Sequence, residues 1–107
     1  MSKQPVMLLR HLVLFKFKAE TTPEQIRTIE SGFYSLPSKI DEIYDFEWGI
    51  DSGFGDKTQG FTHCFIVSFK SEADLKTYGP HPAHEAFKSN LFPHVENHLV
   101  IDFWAKE

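Results

Sequence analysis

The chain has 107 residues, enough for one domain (1–107) that hides roughly two-thirds of the surface its unfolded form would expose. Hydrophobic residues make up 41% and charged residues 24%, an ordinary globular balance, and a net charge of −4 argues against a general nucleic-acid binder, which needs a basic surface, while leaving room for a local basic patch. A single cysteine, Cys64, excludes an internal disulfide and points to a reducing, cytoplasmic setting. No apolar run approaches the ~18 residues of a membrane helix, and the first ten residues lack the apolar core of a secretory signal, so neither membrane nor export is expected.

His11 to Phe17 is an unbroken β-branched and aromatic run and predicts a first strand beginning near Leu9. Thr22, Pro23 and Gln25 form a helix start with capping-box spacing, and Ile26, Ile29, Phe33 and Leu36 continue it as one apolar stripe. The helix is expected to end at Leu36, before Pro37. Ile43 to Gly49 predicts a second strand, the glycine-rich 51–60 segment a loop, and Phe61 to Phe69 a third strand. Ser71 and Asp74 cap a short helix running to Tyr78. Gly79 and Pro80 break it, and a further helix is expected from Pro82 to about Leu91. Leu99 to Trp104 predicts a fourth strand.

The order β-α-β-β-α-β predicts an α+β, ferredoxin-like subunit with helices on one face of a four-stranded antiparallel sheet. Strands one, three and four carry apolar residues on both faces, whereas a sheet with one wet face should alternate cleanly. The second face needs a cover, and the chain has no material left to supply it. A homodimer packed through this sheet face follows.

Arg10 to Lys18, Trp48-Gly49, Gly60 to His63, Tyr78-Gly79-Pro80-His81-Pro82-Ala83-His84 and Val100 to Phe103 occur in an order and spacing that resemble the stress-responsive A/B barrel domain, or dimeric α/β barrel, family. The resemblance implies a ferredoxin-like subunit whose sheet packs on its twin. Some plant members are associated with stress responses, and a subset looks like polyketide cyclases. In that subset a histidine at the position of His84 acts as general base and a tyrosine at the position of Tyr78 assists. Histidines at the positions of His11 and His63 lie near the same pocket. Gly79-Pro80 departs from the subset, which carries bulkier apolar residues there.

The residues themselves support similar chemistry. A neutral imidazole at His84 can take a proton from carbon next to a carbonyl, and the Tyr78 phenol can donate to the enolate oxygen. His11 and His63, early in the two central strands, are expected beneath the broken helix, with Asp102 orienting an imidazole and helping to bind substrate. Such a site would take a small apolar carbonyl compound and would need no cofactor. His81 and His84 have a spacing zinc can use, but no paired-cysteine or His-Glu-x-x-His motif accompanies them, so no metal is expected. Cys64 is expected on the dimer face, away from His63.

Each of these residues also has a structural reading: a cap at His84, a core aromatic at Tyr78, half-buried strand residues at His11 and His63, an acceptor at Asp102. His81 fits a turn, and His94 and His98 the surface. Two functional alternatives stand beside the cyclase or isomerase. One is a non-catalytic, stress-linked dimer. The other is a cofactor-free monooxygenase on the same fold.

Overall fold

The computed structural model describes residues 7–106. Most of the stretch read as free of a secretory signal, residues 1–6, therefore lies outside the described residues. The elements are β1 (Leu9–Phe17), α1 (Pro23–Tyr34), α2 (Leu36–Lys39), β2 (Asp45–Ile50), β3 (His63–Phe69), α3 (Glu72–Tyr78), α4 (Pro82–Leu91), a 3₁₀ turn (Phe92–His94) and β4 (Val95–Trp104). The strands form one antiparallel sheet in the order β2-β3-β1-β4, the ferredoxin-like arrangement.

The capping box at α1 forms as the spacing requires. The Thr22 hydroxyl accepts from the Gln25 N–H at 3.1 Å, and the Gln25 side chain accepts from the Thr22 N–H at 2.9 Å. α1 ends two residues before the expected Leu36. Pro37 does not stop the chain there but enters the first turn of α2, where its missing N–H is no loss.

Sheet register decides the two faces. Val13, Phe15, Phe65, Val67 and Phe69 point to the helices and join Ile29, Phe33, Leu36, Tyr78, Phe87 and Leu91 in one buried core. Phe33 stacks on Phe65 with centroids 4.2 Å apart. The alternate residues Leu12, Leu14, Cys64 and Ile66 pair with one another and with Leu99 and Ile101 on the opposite face. No described helix covers that face, and Leu99, Ile101 and Phe103 are exposed on it.

β4 begins four residues before the expected start. Glu96, Asn97 and His98 read as loop because they are polar, yet an edge strand tolerates polar residues on its solvent side. One bulge interrupts its pairing with β1. Lys16 faces Asn97 while Phe17 faces Val95, so Glu96 is the extra residue, and its carboxylate meets the Lys16 ammonium at 2.9 Å.

Candidate active site

The break between α3 and α4 is built by prolines. The Gly79 N–H donates to the Leu75 carbonyl at 3.1 Å, closing α3. Pro80 offers no N–H for a further turn. His81 then caps α4, its Nδ1 accepting from the Ala83 N–H at 3.1 Å, and Pro82 takes the first helical position. The helix breaks at Gly79-Pro80 as the sequence suggests, with Gly79 as the C-cap of α3. Its backbone is helical at φ −50°, and beyond its chain neighbours an added Cβ would meet nothing nearer than 3.9 Å. Glycine serves there because helical geometry before a proline crowds a Cβ, and glycine has none.

This break swings His84, in the first turn of α4, over Tyr78. The two rings stack with centroids 4.1 Å apart at 26°. His84 Nδ1 lies 2.9 Å from the Gly79 carbonyl. A carbonyl only accepts, so Nδ1 carries the proton and Nε2 keeps its lone pair. Burial pushes the His84 pKa below the ordinary imidazole value. The Gly79 bond works the other way, and the charges of Lys88 and His11 add to the lowering. The ring is therefore a neutral base at neutral pH.

His11 has the same polarity of attachment. Its Nδ1 donates to the Asp102 carboxylate at 2.5 Å across the β1–β4 pair, and its ring meets the Tyr78 ring edge-on at 5.8 Å. Tyr78 itself is 1% exposed, and its hydroxyl has no hydrogen-bond partner among the described residues. Burial pushes the phenol pKa upward, which keeps it a proton donor. An unpaired buried hydroxyl costs about 1–3 kcal/mol, a deficit that a ligand oxygen would remove.

These groups open on a cavity of about 160 Å³. Val13, Phe15, Phe33, Phe87 and Leu91 make its apolar wall, and His11, Tyr78 and His84 are its polar groups at one end. The other end is reached by Phe92 and His98, whose rings meet edge-on at 5.3 Å. Lys88 also lines the cavity. A mostly apolar cavity with a few convergent polar groups is the usual anatomy of a small-molecule site.

Four of the five expected site residues thus come together: His11, Tyr78, His84 and Asp102. His63 does not. β1 and β3 are antiparallel, so residues early in each lie at opposite ends of the sheet. His11 faces Val67, and His63 faces Phe15, four residues and about 13 Å along the strand. His63 is 5% exposed, its Nε2 2.7 Å from Glu30 and its Nδ1 2.9 Å from the Thr62 hydroxyl. Trp48 lies parallel to its ring at 6.4 Å and Phe17 meets it edge-on at 5.1 Å.

Cys64 lies on the uncovered face beside Leu14 and Leu99, and burial, with the Glu47 charge, raises its thiol pKa, so it is a poor nucleophile. No group of three or more His, Cys, Asp or Glu side chains among the described residues is arranged to hold a metal ion. Sequence reading passed over Lys88 and Glu30. Lys88 stands four residues after His84 and so shares its helix face, a signal present in the sequence. Glu30 has no local signal, because only the packing of α1 on the sheet brings it to His63.

Fold and site define a ferredoxin-like protein with a small aromatic cavity that brings His11, Tyr78 and His84 together. The chain belongs to the stress responsive A/B barrel domain family, whose model matches residues 9–105. It is similar to the stress-response A/B barrel domain-containing protein HS1 of Arabidopsis thaliana, with 33% identity over 95% of this chain and 91% of that one. It is similar also to olivetolic acid cyclase of Cannabis sativa, with 32% identity over 94% of this chain and all of that one. Among solved structures, a hydroxynitrile lyase from Passiflora edulis superposes with a TM-score of 0.89 at 28% identity, covering 96% of this chain and 97% of the other.

Proposed function

We propose that this chain is a cofactor-independent acid–base enzyme acting on a small, largely apolar carbonyl compound. The observation that carries the reading is the pairing of Tyr78 and His84. One presents a buried O–H with no partner among the described residues, and the other has its Nδ1 proton committed to Gly79, which leaves the lone pair on Nε2. His84 Nε2 takes a proton from the carbon beside the carbonyl. The electron pair moves onto the carbonyl oxygen, which accepts a hydrogen bond from Tyr78 as charge develops. The enolate then attacks a second carbonyl, closing a ring whose alkoxide takes the proton back from His84, or, where a C=C lies beyond the α carbon, the dienolate is reprotonated by His84 at its far carbon, giving the conjugated isomer. His11, fixed by Asp102, packs against Tyr78 and holds the phenol in place. No step calls for a metal or an organic cofactor. Relatives named as a cyclase and as a hydroxynitrile lyase support an enzymatic role over a purely structural one.

The reading includes a second copy of the chain across the uncovered sheet face. Leu12, Leu14, Ile66, Leu99, Ile101 and Phe103 form an apolar surface there, and an identical face related by a two-fold axis would bury it.

Exchange of the CH₂ protons of phenylacetone in D₂O, followed by NMR, tests the chemistry. The protein should accelerate exchange, and His84→Ala should lose at least about 100-fold of that acceleration while keeping its circular dichroism spectrum. No acceleration by the unaltered protein, or an equal rate in the variant, would sink the reading.

A further inference from the structure

We infer that the compound this cavity takes carries a carboxylate, and that Lys88 holds it; the inference rests on the acid–base reading above and names its substrate class. The chain is acidic overall, with a net charge of −4, yet the cavity lining contains no Asp or Glu. It contains instead His11, His84, His98 and Lys88. Asp102 stands behind His11, paired with it, and is not part of the wall. His84 is neutral at neutral pH and His11 is paired with Asp102, so among the described residues the Lys88 ammonium is the one fixed cation of a lining without carboxylates, and it is the group suited to an anion.

Geometry places the anion. Lys88 follows His84 by four residues on α4, a rise of about 6 Å, so its ammonium and the Tyr78–His84 pair serve adjoining parts of one small ligand. The Lys88 side chain is only 34% exposed, and its partner in the structure is Glu85, one turn back on the open surface of the helix. A surface pair of this kind contributes little to stability, so exchanging Glu85 for a ligand carboxylate costs little. A cavity of about 160 Å³ is close to the ~150 Å³ that accepts benzene in an engineered apolar core. The ligand is therefore ring-sized. Its carbonyl meets Tyr78, its acidic C–H meets His84, and its carboxylate meets Lys88.

Phenylpyruvate and phenylacetone form a matched pair, differing only by carboxylate against methyl. Their affinities are measured by NMR titration at pH 7.5 and low salt for the unaltered protein and for Lys88→Arg, Lys88→Met and Lys88→Glu. The ratio of the two affinities is the readout, so a general loosening of the cavity, which lowers both, cancels. Phenylpyruvate should bind about tenfold tighter to the unaltered protein and to Lys88→Arg, the ratio should fall to near one in Lys88→Met, and it should invert in Lys88→Glu. A ratio near one in the unaltered protein, an unchanged ratio in Lys88→Met, or binding of neither compound overturns the inference. A flat ratio with His84-dependent exchange of phenylacetone leaves the acid–base reading intact. The expected ratio without any exchange does the reverse.

Discussion

His84 and Tyr78 stack ring on ring at 4.1 Å, and the carbonyl that ties His84 belongs to Gly79, the residue directly after that tyrosine. The imidazole and the phenol are therefore positioned by one short run of backbone, residues 78–84. The distance between them does not depend on how the helices settle on the sheet. The two prolines in this run end one helix and start the next, and the turn they leave is what aims the imidazole.

Removing the phenol oxygen separates stability from activity. Tyr78→Phe deletes a buried hydroxyl that has no partner among the described residues, so the variant should be more stable by about 1 kcal/mol in urea unfolding. Its proton-exchange rate should fall by about 100-fold, the usual loss of one preorganised donor. A variant that is less stable and equally active would reverse the assignment of this hydroxyl.

The pH dependence follows from the lowered His84 pKa. The base is the neutral ring, so exchange should rise with pH along an acid limb whose midpoint lies below 6.5, the ordinary imidazole value. The unfolded chain takes up this proton near 6.5, while the folded chain resists until lower pH. The stability linked to His84 is therefore fully present above about 6.5 and is lost as pH falls toward the folded value. His84→Gln should flatten that part of a stability-against-pH curve, and an acid limb centred above 6.5 would contradict the environment described for this ring.

His63 should matter for folding rather than chemistry. His63→Ala removes a ring packed between Trp48 and Phe17 and strands the Glu30 carboxylate, at a cost of about 3 kcal/mol measured by chemical denaturation. Below the denaturation midpoint its exchange rate per folded molecule should stay within about twofold of the unaltered protein. A loss comparable to that of His84→Ala would return His63 to the site.

The uncovered face should mediate pairing of two copies. Ile101→Glu places a charge at its middle and should convert the species seen by sedimentation equilibrium from dimer to monomer, with dissociation strengthened at least about 100-fold. A monomer in the unaltered protein would remove the second copy from the proposal.

Much of this was legible in the sequence because local signals agreed. Thr22, Pro23 and Gln25 form the cap their spacing announces. Ile29, Phe33 and Leu36 are buried as the helical period requires, though Leu36 belongs to α2. Tyr78, His84, His11 and Asp102 meet because Pro80, Pro82 and the strand order fix their elements. What failed was relative position within the sheet. Alternation tells which face His63 takes, but not which end of the barrel-like core it reaches, and only antiparallel register settles that. The early start of β4 was hidden for a related reason. Glu96 and Asn97 are polar in composition and become strand only through pairing with β1.

The bulge at Glu96 has a consequence out of proportion to one residue. Val95 faces Phe17, and His94 is tied to Lys18 through its carbonyl at 2.9 Å, so this end of β4 is anchored. Counting back from that anchor in a regular ladder would set Ile101 opposite His11 and turn Asp102 outward. The extra residue changes odd to even. It is the reason that His11 meets a carboxylate and not an isoleucine, and that Ile101 looks to the uncovered side. A chain lacking Glu96 alone would pair regularly from Val95 and keep Asp102 opposite His11, whereas one that kept Glu96 in a regular ladder would exchange the two faces of β4 at one stroke.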